Sequence, residues 1–408
     1  MIYLFAAHIP PPFRKVPMVS RAQALFILIE FFNCYAAVYY SNFLFFFTRE
    51  RLGFGAWENL LLAAAGGFVY IFAAWQGGKF AQRSGNVRAI ALGVVGMLLA
   101  LTSGLFFPTA LWQIAVYLVW TCSVCFTWPA LEAVICHGQG ARLSDVIGLY
   151  NITWAGGSAI AYFTAGMLVE RLGMRSLFWF PMALYATELG VLLVAARLAR
   201  TSAAKPAQDS PVNASSRPAN AQKFLHMAWL ASPFSYVAIN TLVPLIPSIA
   251  ARLGLSTSMA GITCSLWMFA RLGAFYALWH WTAWHYRARW LIGAFAAMTL
   301  TFAVLLVTRS LPVLLAAEVA FGLAVGLIYY CSLYYSLNAS DSKGAYAGLH
   351  EAMIGAGQCL GPACGAASLL LFPLSGNAGA WSVSGLLAVA FGALAWMGRF
   401  RWAASTSD

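Results

Sequence analysis

The sequence has very little charge. Only 9% of its 408 residues are Asp, Glu, Lys or Arg, just 12 are acidic, and 62% are hydrophobic. A soluble domain carries roughly 25% charged residues, so this chain has too few to cover a surface that faces water. Lipid must therefore be the solvent for most of it.

Several chemistries also lack their usual sequence signals. The sequence has no G-x-x-x-x-G-K-[S/T] loop to hold the phosphates of a nucleotide. It shows no constellation of metal ligands or nucleophiles, so we expect no cofactor, no metal and no enzymatic activity. The eight cysteines lie in apolar runs, where they suit packing. The net charge of +12 is spread over short loops, which argues against nucleic-acid binding.

What the sequence does contain is a series of twelve apolar runs. In hydrocarbon every backbone polar group needs an internal partner, which leaves helices or a closed barrel. Runs of about 20 residues match helices that cross a core about 30 Å thick, whereas barrel strands are shorter and alternate. We therefore predict an all-α membrane protein with spans at residues 21–47, 57–78, 89–107, 109–136, 146–170, 175–198, 224–251, 257–282, 290–308, 311–337, 346–372 and 379–399.

One long polar stretch divides these spans into two sets of six. It is rich in Ser, Ala, Pro and Asn, as flexible linkers are. The predicted organisation is a cytoplasmic tail (1–20), a six-helix bundle (21–198), a cytoplasmic linker (199–223), a second six-helix bundle (224–400) and a cytoplasmic tail (401–408).

The distribution of Lys and Arg predicts the orientation. The N-terminus, the linker, the C-terminus and the even-numbered loops hold 17 of the 24 basic residues, the other loops hold six, and Arg271 lies inside a span. Cytoplasmic loops carry an excess of Lys and Arg. Both termini are therefore expected in the cytoplasm, and the composition suits a multi-pass protein of a bacterial inner membrane.

A short repeat indicates that the two halves are related. Residues 148–151 read Gly-Leu-Tyr-Asn and residues 348–351 read Gly-Leu-His-Glu, 200 positions later. Gly157 and Gly357 keep the same separation. Two parallel sets of six helices are the plan of one large class of transporters.

At residues 78–88 the chain resembles the major facilitator superfamily. This stretch reads Gly-Lys-Phe-Ala-Gln-Arg-Ser-Gly-Asn-Val-Arg and is similar to the family signature G-x-L-A-D-R-x-G-R-R in the loop after the second helix. Gln82 stands at the acidic position, so it cannot supply the charge of the family's latch. The resemblance covers essentially the whole chain without identifying a subfamily. It implies two pseudo-symmetric six-helix bundles that rock around a site near the membrane midplane.

Ionisable groups inside spans are the candidate functional residues, because each costs roughly 2.5–3.5 kcal/mol at a helix centre and normally faces a cavity or a partner. Glu30 lies on a helix that lines the central path in this family, and we predict that it binds a proton; the alternative is a structural ion pair with Arg271. The Arg271 guanidinium is a candidate clamp for an anionic group. The predicted substrate and proton pathway consists of Glu30, Asn33, Trp154, Asn240, Arg271, Glu318 and Tyr330.

A second group of residues is predicted to form a gate. Residues of the fourth, fifth and eleventh spans lie about one turn inside the cytoplasmic face, where these helices meet in the family. The predicted cytoplasmic gate consists of Gln82, Arg83, Glu132, Tyr150, Asn151, His350 and Glu351. The alternative is a static tie between the halves.

Two further features are local. Glu188 lies on the sixth span, which is peripheral in this family, and a glutamate that faced lipid there would be protonated. Proline removes a backbone donor, and Pro129 is expected to interrupt the fourth span, as Pro244 and Pro247 are expected to interrupt the seventh.

These observations predict a secondary active transporter of a small organic solute, proton-coupled and monomeric, whose partners are its substrate, protons and lipids. The substrate is expected to be anionic or sugar-like. The alternative is a transport-dead scaffold, receptor or assembly factor that retains the fold, an alternative that Gln82 keeps open.

Overall fold

The described part of the chain is built from helices that cross a membrane. The computed structural model describes residues 19–136, 143–201, 220–339 and 343–399. This part contains twelve candidate spans, two of which are each made of two consecutive helices. The helices are α1 (Arg21–Leu52), α2 (Ala56–Ser84), α3 (Asn86–Phe106), α4 (Ala110–Val124), α5 (Trp128–Cys136), α6 (Leu143–Leu172), α7 (Ser176–Thr201), α8 (Ala221–Leu253), α9 (Thr257–Cys264), α10 (Leu266–His280), α11 (Ala288–Val307), α12 (Leu311–Ala339), α13 (Lys343–Leu371) and α14 (Ala378–Arg399).

The twelve predicted spans are confirmed, and ten of them are longer than the apolar runs that predicted them, the fourth and the eighth being slightly shorter. The loop after the second span is the clearest difference. Helix α2 continues through Gln82 and Arg83 to Ser84, and Gly85 alone joins it to α3. Residues 79–84 contain no helix breaker, and the Lys79 ammonium lies 3.3 Å from the centroid of the Trp75 ring one turn earlier. Most of the predicted signature loop is therefore helical.

The two halves repeat one another in helix positions. Equivalent helices begin 200 residues apart for α1 and α8 (Arg21 and Ala221) and 202 residues apart for α3 and α11 (Asn86 and Ala288). Gly53 ends α1 with φ +71° and Gly254 ends α8 with φ +65°, a left-handed conformation that glycine adopts without strain. An even number of spans places both ends of the chain on one side, here called the terminal face; the other side is the opposite face.

The break between α4 and α5 follows from Pro129, as predicted. Proline has no N–H, so the carbonyl of Cys125 cannot receive its usual helical hydrogen bond. The backbone tightens instead, with Thr127 N donating to Val124 O at 3.0 Å, before Leu131 N donates to Thr127 O at 2.9 Å and the helix resumes. The Asn33 side chain donates to Thr127 Oγ1 at 2.9 Å and ties α1 to this break.

The break between α9 and α10 has a different cause, which no proline signals. Glu318 on α12 projects a carboxylate into this span, and Trp267 N donates to its Oε2 atom at 3.2 Å. A side chain that inserts into the helical ladder interrupts it. Glu318 therefore caps the first turn of α10, where free N–H groups and the helix dipole favour a negative charge.

The expected interruption of the seventh span is wrong. Helix α8 is continuous from Ala221 to Leu253 although it contains three prolines, Pro233, Pro244 and Pro247. Membrane helices tolerate proline where neighbouring groups compensate for the lost hydrogen bond. Pro244 and Pro247 leave the carbonyls of Asn240 and Val243 without their helical donors. Asn240 and Val243 line a cavity between the two halves of the molecule.

The halves pack against each other along two pairs of spans, α2 with α13 and α6 with α9 and α10. The first pair is unusually close at Gly67. A Cβ atom added there would lie 2.4 Å from the backbone nitrogen of Cys359 and 2.4 Å from the carbonyl carbon of Gln358. Small residues permit such backbone approach between membrane helices, so Gly67 fixes the spacing of α2 and α13.

We expect Gly67→Ala to lower the free energy of unfolding by about 1–3 kcal/mol, the usual cost of overpacking. Thermal unfolding of the purified protein measures it. Gly78→Ala on the same helix is the control, because its added Cβ would meet nothing within 4 Å and alanine favours helix over glycine. Equal melting temperatures for the two variants would show that the close contact at Gly67 does not hold the halves together.

We expect Glu318→Ala to destabilise the protein by about 1–3 kcal/mol, because Trp267 N is left buried without an acceptor. Glu318→Gln keeps a side-chain carbonyl oxygen at the same distance from the backbone, so it should destabilise the protein less. Thermal unfolding of both variants checks this, and equal losses would exclude the capping role.

Candidate functional site

A cavity lies between the two halves of the molecule. It is lined by residues of α1, α2, α4, α5 and α6 from the first half and of α8, α10, α12 and α13 from the second. Its empty space amounts to about 1360 Å³ when the part open to solvent is included. Its lining contains four side chains of the Asp, Glu, Lys and Arg types, namely Glu30, Glu132, Arg271 and Glu351. All four are predicted site residues, so the structure brings together the charges that the sequence marked separately.

Glu30 is almost completely buried on α1, with 1% of its surface exposed. Its Oε1 atom accepts a hydrogen bond from Cys34 Sγ at 3.2 Å, and the Tyr150 hydroxyl lies beside the carboxyl group. Its Oε2 atom is buried without a partner among the described residues. A buried carboxyl group with an unsatisfied oxygen is costly when ionised.

Glu351 and Glu132 face the cavity from different halves. The Tyr70 hydroxyl on α2 donates to Glu351 Oε2 on α13 at 2.6 Å. Glu132 on α5 lies within electrostatic range of both Glu351 and Glu30. Three carboxyl groups thus share one cavity, where each makes ionisation of the others less favourable.

Arg271 lies among aromatic rings rather than beside a carboxylate. Its guanidinium carbon is 4.8 Å from the ring centroid of Trp154, 5.0 Å from that of Tyr329 and 5.5 Å from that of Phe275. The Tyr236 hydroxyl is its polar neighbour. Among the described residues no carboxylate oxygen lies within 4.0 Å of its nitrogens, and its Nε atom is buried without a partner. The alternative of a structural Glu30–Arg271 ion pair is therefore not what the structure contains.

Other predicted pathway residues divide into two groups. Trp154 and Asn240 line the cavity. Asn33 and Glu318 do not, because they serve the helix breaks described above. Tyr330 also lies outside the lining and packs against Phe275 and Trp284, while its neighbour Tyr329 faces the cavity.

The predicted gate residues are likewise dispersed. Tyr150, Glu132 and Glu351 line the cavity. Asn151 is fully buried beside it, and its Oδ1 atom accepts from Trp154 Nε1 at 3.0 Å. Gln82 and Arg83 are exposed at the end of α2, away from this group. His350 belongs to α13, but its side chain lies outside the described residues, so its predicted role stays a prediction.

Among the cavity residues that the sequence did not predict, Tyr70 and Tyr236 contact charged side chains. Tyr70 contacts the Glu351 carboxyl group, and Tyr236 contacts the Arg271 guanidinium. Their only sequence signal is a tyrosine near the middle of an otherwise apolar span, and this signal is shared by tyrosines that only pack.

Glu188 does not face lipid. This residue is 0% exposed, and it lies in the interior near Glu30, Cys34 and Tyr185. Both of its carboxylate oxygens lack a hydrogen-bond partner among the described residues. Helix α7 packs against α1, and Glu188 lies on the face that does so.

Hydrogen bonds between described residues connect the halves at four places around the cavity, and the contact of Ser258 with Glu170 contains two of them. Towards the opposite face, Arg49 donates to Ser248 Oγ at 2.9 Å, and Ser258 N donates to Glu170 Oε1 at 2.7 Å. The other two are the Tyr70–Glu351 bond and, towards the terminal face, a longer bond of 3.4 Å from Trp279 Nε1 to Asp145 Oδ1. The cavity is therefore flanked by contacts on both sides.

Comparison of the sequence with protein families gives a match to the Major Facilitator Superfamily over residues 5–161 and 139–362. The chain belongs to this family. The predicted resemblance is thus confirmed, and the chain is a secondary transporter rather than an enzyme. A search of curated proteins by sequence found no match.

Solved structures of this superfamily share the fold. The nucleoside transporter NupG is 13% identical, with a TM-score of 0.70 over 94% of this chain and 100% of that one. A bacterial homologue of the human lysosomal transporter Spinster is 14% identical, with a TM-score of 0.68 over 93% and 98%. The human organic anion transporter MFSD10 is 16% identical, with a TM-score of 0.65 over 92% and 99%. At these identities the likeness establishes the superfamily fold.

We expect Glu188→Met to leave the stability of this superfamily member unchanged or raise it. Methionine has a similar length, and it removes two buried oxygens that lack partners, which is often neutral or stabilising. Thermal unfolding is the measurement. Glu188→Ala is the control and should destabilise the protein by leaving a cavity. If the methionine variant loses as much stability as the alanine variant, the carboxyl group has an essential partner.

Proposed function

We propose that this protein is a proton-coupled secondary active transporter that moves a small organic solute by alternating access. The observation that carries this proposal is the cavity between the halves, which contains three carboxyl groups and one guanidinium. A structural protein would gain nothing from these charges, since each is costly in a membrane. In a transporter they are the groups that bind protons and substrate.

Glu30 is the proposed proton-coupling residue. It faces the cavity, is shielded from bulk solvent and has an oxygen without a partner, so its charge depends strongly on whether water reaches it. Opening of the cavity would favour loss of the proton, and closure would favour its retention. Glu132 and Glu351 lie near enough to influence this exchange.

Alternating access requires contacts that break on one side while they hold on the other. The Arg49–Ser248 and Ser258–Glu170 bonds would hold the opposite face closed, and the Trp279–Asp145 bond, together with the predicted gate residues, would hold the terminal face closed. Each side relies on a few hydrogen bonds and no buried ion pair between described residues. Such contacts can exchange without a large energetic cost.

The solute is proposed to be small and organic. Two of the similar structures support this class, since one is a nucleoside transporter and another an organic anion transporter. In the proposed orientation the terminal face is in the cytoplasm and the membrane is a bacterial inner membrane, as the basic loops predict. The monomeric state also stays a proposal.

The competing proposal is a scaffold that has lost transport. Gln82, which replaces an acidic signature residue with an uncharged one, keeps this alternative open. Its exposed position at the end of α2 leaves the cavity charges unaffected, so this substitution alone does not favour the scaffold.

We expect Glu30→Gln to abolish accumulation driven by a pH gradient while exchange of substrate across the membrane continues, because the amide cannot release a proton. The substrate is first identified by a thermal-unfolding screen of sugars, organic acids, amino acids and nucleosides. Uptake and counterflow are then measured in proteoliposomes.

Glu50→Gln serves as the control, since Glu50 is exposed near the end of the same helix. Wild-type accumulation by the Glu30→Gln variant would exclude Glu30 as the coupling residue. Absence of both ligand stabilisation and uptake in the wild type would favour the scaffold.

A further inference from the structure

Arg271 is a buried charge for which the protein provides no counter-charge among its described residues. Only 4% of its surface is exposed. Two of the cavity carboxyl groups have other partners, Glu30 with Cys34 and Glu351 with Tyr70. None of the described carboxylates lies within 4.0 Å of its nitrogens. A buried charge normally has a partner of opposite sign, so the missing partner of Arg271 is a feature that needs an explanation.

The aromatic neighbours of Arg271 compensate for part of this deficit. Trp154, Phe275 and Tyr329 contact the guanidinium, and such cation–π contacts stabilise a cation. A ring interacts with the planar face of a guanidinium, whereas the N–H groups point outward from its edge. The rings therefore do not occupy the edge donors. One of these donors, the Nε atom, is buried without a partner among the described residues, and the Arg271 side chain belongs to the cavity lining.

The edge of a guanidinium matches the two oxygens of a carboxylate or the oxygens of a phosphate. We propose, on the basis of the transport function above, that Arg271 binds the acid group of the substrate and that the substrate is a small organic anion. The anion completes the charge balance of the cavity only while it is bound. This assigns the substrate class and makes Arg271 its specificity-determining residue.

A neutral sugar-like substrate is less compatible with this geometry. Hydroxyl groups could bond to Asn240, Gln358 and Tyr236, which also line the cavity. They would leave the positive charge of Arg271 uncompensated in the bound state. The broad rings of Trp128, Trp154 and Trp267 on the cavity wall suit the flat apolar body of an organic acid, since aromatic rings favour stacked or edge contacts.

The position of Arg271 also connects the halves through the substrate. Arg271, Phe275 and Tyr329 belong to the second half, whereas Trp154 belongs to α6 of the first. An anion held at the guanidinium edge would contact rings from both halves. Substrate binding would therefore favour the arrangement of the halves that brings Trp154 to Arg271.

The experiment uses pairs of compounds that differ only in charge. Wild-type protein in detergent is screened by thermal unfolding with benzoate and benzamide, nicotinate and nicotinamide, nucleosides and their 5′-monophosphates, and neutral hexoses. We expect stabilisation by an acid and none by its neutral partner. Comparison of the carboxylates with the 5′-monophosphates shows whether the site prefers a carboxylate or a phosphate group.

Arg271→Gln is expected to weaken binding of the stabilising acid by at least about 30-fold, the lower range for truncating one partner of a buried charge pair. Arg271→Lys should lose less affinity, because lysine keeps the positive charge but not the planar pair of N–H donors. Arg309→Gln, at an exposed arginine of the same half, is the control and should bind normally. The wild-type comparison needs no variant, so the proposal remains testable if Arg271→Gln fails to fold.

Two results would overturn the proposal. Stabilisation by hexoses or by the neutral member of a pair, with the acids inactive, would show a neutral substrate and leave the transport function intact. Unchanged affinity of an acid for Arg271→Gln would place the anion elsewhere. Failure of every compound to bind, together with absent uptake, would overturn the transport function itself.

Discussion

The structure depends on one constraint: in a membrane each backbone N–H and C=O must find its partner inside the protein. Continuous helices meet this demand through most of the described chain. The two broken spans meet it in different ways. At the first, the tight turn around Thr127 replaces the bonds that Pro129 removes, and Asn33 secures it. At the second, Glu318 supplies the acceptor, so one carboxylate both causes the break and satisfies it.

The same constraint governs the buried charges. Glu318 is satisfied by a backbone N–H group and Glu351 by the Tyr70 hydroxyl, whereas Glu30 and Glu188 keep oxygens without described partners. A buried carboxyl group without a partner is costly when charged. Glu188 lies outside the cavity lining, whereas Glu30 belongs to it, so opening of the cavity would change the surroundings of Glu30.

The fold could be predicted well because it follows from features that are read along the sequence. These are the lengths of the apolar runs, a linker and a repeat with a separation of 200 residues. The sequence also identified which charges lie deep. It could not predict the direction in which each side chain points. Membrane helices that are apolar all round lack the polar face that would reveal their rotation. For this reason Glu318 and Asn33 were assigned to the pathway although they stabilise helix breaks, and Tyr330 was chosen where Tyr329 faces the cavity.

The arrangement of the charges explains how binding and movement could be linked. A ligand shifts a conformational equilibrium only through its different affinities for the two states. A site built on one half would bind equally well in both. Here Glu30, Glu132 and Trp154 belong to the first half, and Glu351 and Arg271 to the second. In the proposed cycle, movement of the halves would change the geometry of this set. The proposed protons and anion would then bind with different affinities in each state, as coupled transport requires.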